Sequence, residues 1–121
     1  IIIECKLTEK DFTSKHKDIV EQYSAFTKVF NVDKLVQTET HYQNYQLIRN
    51  ILAANQQSDA QFILICDLRR PDLAKSFYET IACIRDENSL LKANCKIYWQ
   101  DIAKVVGADL KNFLNEKYGI N

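Results

Sequence analysis

The 121-residue chain is predicted to form an α/β domain with a central, mostly parallel sheet flanked by helices. Three observations point there. Phe62-Ile63-Leu64-Ile65-Cys66 is an unbroken apolar run of strand length, the pattern of a strand covered on both faces. Helical apolar spacing precedes and follows it. Strand-like runs open the chain and recur near Cys95 to Trp99, so strands alternate with helices, as right-handed parallel crossovers require.

The elements are expected in the order β-α-α-β-α-β-α-α. Residues 1–7 form a buried strand, followed by a polar connection from Thr8 to Lys17. Ile19, Tyr23, Phe26 and Phe30 recur at helical spacing and predict a helix over 17–30, broken by Asn31-Val32-Asp33. A second helix is expected over 40–55, with Tyr45, Ile48 and Leu52 inward, before a polar turn at 55–59. After the 62–66 strand, Pro71 ends the strand region and Asp72 is the expected N-cap of a helix carrying Leu73, Phe77, Ile81 and Ile84. Residues 86–94 are expected to be a loosely ordered connection. A short strand at 95–99 leads to a helix capped by Asp101 and stopped by Gly107, and Asp109 is the expected cap of the last helix, with Leu110, Phe113, Leu114 and Tyr118.

Composition bounds function. Hydrophobic residues make up 46% and charged residues 26%, enough apolar content for one core, so a single domain is expected. Sixteen basic and sixteen acidic residues cancel, which excludes a uniformly basic nucleic-acid binder; a DNA contact needs a local patch or protein beyond this chain. Only two glycines are present, Gly107 and Gly119, so no Gly-rich phosphate loop can form. Cys5, Cys66, Cys83 and Cys95 show neither C-x-x-C spacing nor an even framework and are expected to be reduced core residues of a cytoplasmic protein. No signal peptide and no membrane-length apolar stretch is present. The chain lacks Met and opens inside an apolar strand, and three strands make a thin sheet. Upstream strands are therefore expected to be missing, or the sheet to pair with another chain.

The chemistry-bearing feature is Ile1-Ile2-Ile3-Glu4-Cys5-Lys6. On a strand, Glu4 and Lys6 point to one side, and such a pair at the end of an apolar strand costs desolvation unless it is paired or used. Asp109-Leu110-Lys111 has the same spelling, but on a helix i and i+2 do not share a face.

Ile-Ile-Glu-Cys-Lys resembles the (D/E)-x-K half of the PD-(D/E)xK nuclease superfamily, the restriction-endonuclease-like fold. The later apolar strand 62–66, the segment Tyr45–Asn50 and the strand-to-helix segment Ile97–Ile102 are similar to bacterial restriction-endonuclease candidates. The resemblance implies an N-terminally truncated core of such a fold and a parent Mg²⁺- or Mn²⁺-dependent DNA endonuclease. Glu4 would be a metal ligand, the Cys5 backbone carbonyl a second, and Lys6 would serve the attacking water. The family's first acid precedes this strand, and only isoleucines precede Glu4, so the implied site is incomplete in these residues and the N-terminal segment of the same protein becomes an expected partner. Pro71-Asp72 spells that acid's motif but lies downstream at a helix start.

Weaker candidates surround the motif. Gln46 and Arg49, three apart on the second helix, share a face that could reach the phosphate or orient Glu4. Lys10 follows the strand closely, with Lys15, His16 and Lys17, as a phosphate contact against an ordinary solvated loop. Arg69 and Arg70 lie past the C-terminal end of the 62–66 strand, where α/β sheets place ligands. His16 and His41 are separated by a helix and show no ligand spacing. Trp99 is a packing anchor ahead of a base-stacking residue. The alternative function is a non-catalytic α/β module that binds protein or DNA, or that assembles as a homodimer through an open sheet edge.

Overall fold

The computed structural model describes residues 1–121. In chain order the elements are β1 (Ile2–Cys5), β2 (Ser14–His16), α1 (Lys17–Val20), α2 (Phe26–Val29), a 3-10 turn (Val32–Lys34), β3 (His41–Gln43), α3 (Tyr45–Asn55), β4 (Phe62–Cys66), α4 (Pro71–Ile81), α5 (Glu87–Ala93), β5 (Lys96–Tyr98), α6 (Trp99–Val105) and α7 (Ala108–Tyr118). The main sheet has the order β1-β4-β5 and is parallel throughout, which bears out the α/β class. Glu4 stands opposite Leu64, and Leu64 opposite Lys96. A separate antiparallel ladder joins β2 to β3.

Alternation along β4 sends Phe62, Leu64 and Cys66 into the core, where each is fully buried. By register, Ile2, Glu4 and Lys6 share that face. Helix α3 packs there, burying Leu47, Ile48, Ile51, Leu52 and Ala54. Phe12, Phe26, Phe30 and Phe77 complete the same core. The other face of β1 is open: Ile3 is 52% exposed and Cys5 is exposed. Cys5 is thus not a core residue, because Glu4 and Lys6 take the inward positions beside it. All four cysteines are free; Cys66 and Cys83 are buried and Cys95 is half-buried. No helix is long and apolar enough to cross a membrane.

Several elements differ from expectation for identifiable reasons. The helix expected over 17–30 is two short helices. On one continuous helix Val20 and Phe26 would stand about 120° apart; the intervening turn lets both reach the core and leaves Ile19 exposed. The start of the expected 40–55 helix is strand β3, and the polar connection before Lys17 contains its partner β2. Residues 86–94 hold α5, whose N-cap Asp86 accepts the Ser89 amide through Oδ1 at 2.8 Å.

The acids expected to cap three helices sit instead in their first turns. Asp72 follows the Arg70 cap of α4, Asp101 the Tyr98 cap of α6, and Asp109 the Gly107 cap of α7. The positive end of a helix favours a carboxylate anywhere in that turn, so the acid marks the start without fixing the cap.

Candidate active site around Glu4 and Lys6

Strand β1 lies at the sheet edge with β4 as its only neighbour. The amides of Ile2 and Lys6 donate to Gln61 O and Ile65 O. Alternation in a parallel ladder then turns the Cys5 carbonyl toward the unpaired edge. Glu4 and Lys6 emerge on the opposite side of the residue plane from Cys5, under α3, as the spacing predicts.

The Lys6 ammonium is almost completely enclosed, with 2% exposure, and Glu4 is 13% exposed. Lys6 Nζ donates to Gln46 Oε1 at 2.6 Å and lies 3.6 Å from Glu4 Oε1. Asn50 Nδ2 donates to Glu4 Oε2 at 2.6 Å. The Phe12 ring flanks the ammonium, its centroid 5.3 Å from Nζ. Four side chains, two from α3 and two from β1 and the residue just after it, therefore form one continuous polar chain: Asn50, Glu4, Lys6, Gln46. Burying a charge is costly unless it is paired and hydrogen-bonded, and here each charged group has both kinds of partner.

Helix α3 is held where its side chains can serve this chain. The amides of Tyr45 and Gln46, unpaired within the helix, donate to the carbonyls of Thr13 and Phe12 at 3.1 and 3.0 Å. The loop after β1 thus grips the start of α3, and Asn44 enters the helix at φ 57°, a left-handed conformation that asparagine tolerates. Glu9 steadies the beginning of that loop: its Oε2 accepts the Leu7 and Thr8 amides at 2.9 and 3.1 Å. Burial pushes the Glu9 carboxyl up, but those backbone donors and the Lys6 charge outweigh it and hold the group below the usual range. Trp99 is half-buried and donates its Nε1–H to Lys6 O at 3.2 Å, so it supports the strand end, in line with the anchor reading.

Of the weaker candidates, Gln46 joins Glu4 and Lys6. Its expected companion Arg49 is exposed and lies over the Tyr45 ring at 5.7 Å. The residue that shares Gln46's inward face is Asn50, one turn on. The i, i+4 spacing of Gln46 and Asn50 was the available signal. Lys10 is exposed and its carbonyl, not its ammonium, is engaged: Arg70 Nη2 donates to it at 2.6 Å. Arg69 makes a forked pair with Asp67, with Nη2 to Oδ2 at 2.5 Å, and reaches the Tyr118 carbonyl at 2.8 Å. Arg69 therefore ties the end of β4 to the end of α7. Asp67, 5% exposed, also accepts from Gln100 Nε2 at 2.7 Å, and the Arg69 guanidinium beside it holds its carboxyl down to about 2.

The site can position a carboxylate oxygen and an ammonium side by side at a strand end. A carboxylate offers about four lone-pair positions, and Asn50 engages one, with the Lys6 ammonium 3.6 Å from Oε1. The Glu4 carboxylate and the Cys5 carbonyl are both hard oxygen donors, the set that suits Mg²⁺ or Mn²⁺. Lys6 has three N–H donors; Gln46 accepts one and Glu4 faces a second.

No curated protein and no solved structure matches the chain. One family model does match, over residues 1–119, nearly the whole length, and it spans β1, α3 and all the residues around Glu4. The chain belongs to that family, described as restriction endonuclease associating with ARP.

Proposed function

We propose that the chain carries half of a PD-(D/E)xK-type active site and that its parent is a Mg²⁺- or Mn²⁺-dependent DNA endonuclease. The observation that supports this most is Lys6, enclosed at 2% exposure and held between Glu4 and Gln46. An ammonium so confined keeps a single geometry. In this role the third N–H of Lys6 orients the water that attacks the phosphodiester, while Gln46 fixes the direction of the ammonium. Asn50 fixes Glu4 Oε2 and leaves Oε1 and the Cys5 carbonyl as the oxygen ligands. A metal bound there supplies Lewis-acid stabilisation of charge on the phosphate.

Such a site needs a second carboxylate. Asp67 and Glu9 are committed to Arg69 and to backbone amides, so neither is free to supply it. The test uses the parent protein and a DNA substrate with Mg²⁺. Glu4→Ala and Lys6→Ala are each expected to lose at least about 100-fold in cleavage rate. Cleavage at the wild-type rate in either variant would sink the assignment.

A second reading, a non-catalytic module that associates with protein, is favoured by the open face and edge of β1, where Ile1 and Ile3 are 84% and 52% exposed. The family's description, association with ARP, also supports a binding partner. Mn²⁺ titration separates the two: saturable binding lost in Glu4→Ala favours the nuclease half-site, and no binding together with concentration-dependent association favours the module.

A further inference from the structure

A chain whose acids and bases are equal in number attracts a polyanion only through cations that its own acids leave free. Three of the four arginines are taken. Arg69 and Arg70 pair with Asp67 and Asp72, and Arg85 donates to the Thr27 and Phe30 carbonyls. Arg49 is exposed and has neither a carboxylate nor a carbonyl partner; its guanidinium carbon lies 5.7 Å from the centre of the Tyr45 ring. Lys15 is exposed and equally without a carboxylate, and its Nζ lies 5.4 Å from the same ring centre. Tyr45 Oη is in turn 2.8 Å from Tyr23 Oη. We propose that Lys15, Arg49 and this tyrosine pair form a contact surface for the phosphodiester backbone of duplex DNA, beside the Glu4–Lys6 site. This deepens the nuclease reading, on which the choice of DNA rests.

The surface adjoins the site through α3. Tyr45 and Arg49 are four apart and share one stripe of the helix, as Gln46 and Asn50 share the next. The two stripes differ by one residue, a rotation of about 100° and a rise of about 1.5 Å. The inner stripe holds Lys6 and Glu4, through Gln46 and Asn50. The outer stripe carries Arg49 into solvent alongside them. A DNA strand with one phosphate at Lys6 then runs its neighbouring phosphates along the outer stripe.

The chemistry of the surface suits phosphate oxygens. Stacking on the Tyr45 ring limits the motion of both cations without using their N–H donors. Arg49 offers a planar fork that matches two phosphate oxygens, and Lys15 adds a point charge. In the tyrosine pair one hydroxyl donates to the other, so a second O–H proton is left for an anion. The bond to Tyr45, and after it burial, hold the Tyr23 phenol above its usual range against the pull of Arg49 and Lys15, so it stays a neutral donor. Lys17, next on that face of β2, is engaged by Gln37 and the Tyr42 ring. Contacts of this kind position the duplex and read no bases.

The experiment is binding of a short labelled duplex to the parent protein, read by fluorescence anisotropy over a salt series without divalent metal. Arg49→Gln and Lys15→Gln are each expected to weaken binding at least about five-fold and to lower the slope of log affinity against log salt by about 1, whatever the duplex sequence. Lys28→Gln removes an exposed cation beside Asn55, at the other end of α3, and is expected to stay close to wild type in both. Wild-type affinity and slope in either Arg49→Gln or Lys15→Gln, an equal loss in Lys28→Gln, or no binding by the wild type overturns the proposal. So does displacement of the duplex by millimolar inorganic phosphate at matched ionic strength, which would assign the cations to a free anion. With metal absent the readout does not pass through Glu4. A loss confined to Lys15→Gln and Arg49→Gln supports the surface even if Glu4→Ala cleaves at the wild-type rate, so the two proposals fail separately.

Discussion

Asn50 donates to Glu4 Oε2 at 2.6 Å across 46 residues of sequence, tying the middle of α3 to the edge strand. A hydrogen bond to a buried carboxylate contributes about 1.5–3 kcal/mol. Asn50→Ala is expected to lose about 2 kcal/mol in urea unfolding, with the slope unchanged. Asn50→Asp puts a second carboxylate against Glu4. It is expected to melt lower than wild type without metal and to gain more from millimolar Mn²⁺ than wild type does. An equal Mn²⁺ response in both proteins would argue against an oxygen-ligand site at Glu4.

Lys6 and Glu4 are expected to be energetically coupled. Removing one partner of a buried pair leaves the other uncompensated, at about 3–5 kcal/mol when fully enclosed. Glu4 retains some solvent contact, so Lys6→Met is expected to cost about 2–3 kcal/mol. Glu4→Gln combined with Lys6→Met is expected to cost clearly less than the sum of the single changes. Strict additivity in that double-mutant cycle would mean that the two side chains do not interact.

The Asp67–Arg69 pair makes stability depend on acid. The Asp67 carboxyl is lowered from 3.8 to about 2 in the folded protein, first by Arg69 and then by backbone and Gln100 donors. A lowered carboxyl contributes stability that is fully present above the unfolded value and lost as pH falls through the folded one. With Arg69 half in solvent, that contribution is on the order of 1–2 kcal/mol. Asp67→Asn is expected to be less stable than wild type at pH 7, with the gap closing between about pH 4 and 2. A constant gap over that range would show that charge is not its source.

The same arginine anchors the chain's end. Gly119 closes α7 at φ +65°, and a Cβ there would meet Arg69 Nη1 at 3.3 Å. Gly119→Ala is expected to cost about 1 kcal/mol from backbone strain alone. Arg69→Ala is expected to speed amide exchange over α7 while leaving the Phe62–Cys66 strand protected. Uniform loss of protection across both would mean that α7 is part of the central cooperative unit.

Periodicity made most of the framework legible. Phe62–Cys66 is a central strand because nothing in it tolerates water, and the α3 stripe of Ile48 and Leu52 buries as its spacing requires. The candidate site was half legible for the same reason: Glu4 and Lys6 share a face by the two-residue period of a strand. Gln46 was visible on its helix, but its true companion was Asn50, not Arg49, because the strand crosses beneath that face. Short elements such as β2, β3 and α5 escaped notice, since three to seven residues carry too little pattern and their identity rests on partners far along the chain.

The sequence by itself determined the α/β class and that Glu4 and Lys6 share one face of their strand; that this face is the inward one, which turns Cys5 outward rather than into the core, came from the structure. The first two are consequences of backbone geometry within a few residues. Only the tertiary structure decided which groups neutralise the buried pair, that Arg69 clamps α7, and that Lys15 and Arg49 share the Tyr45 ring. These depend on where the chain returns in space, and that is set by packing of the whole core around Phe12, Leu64 and α3.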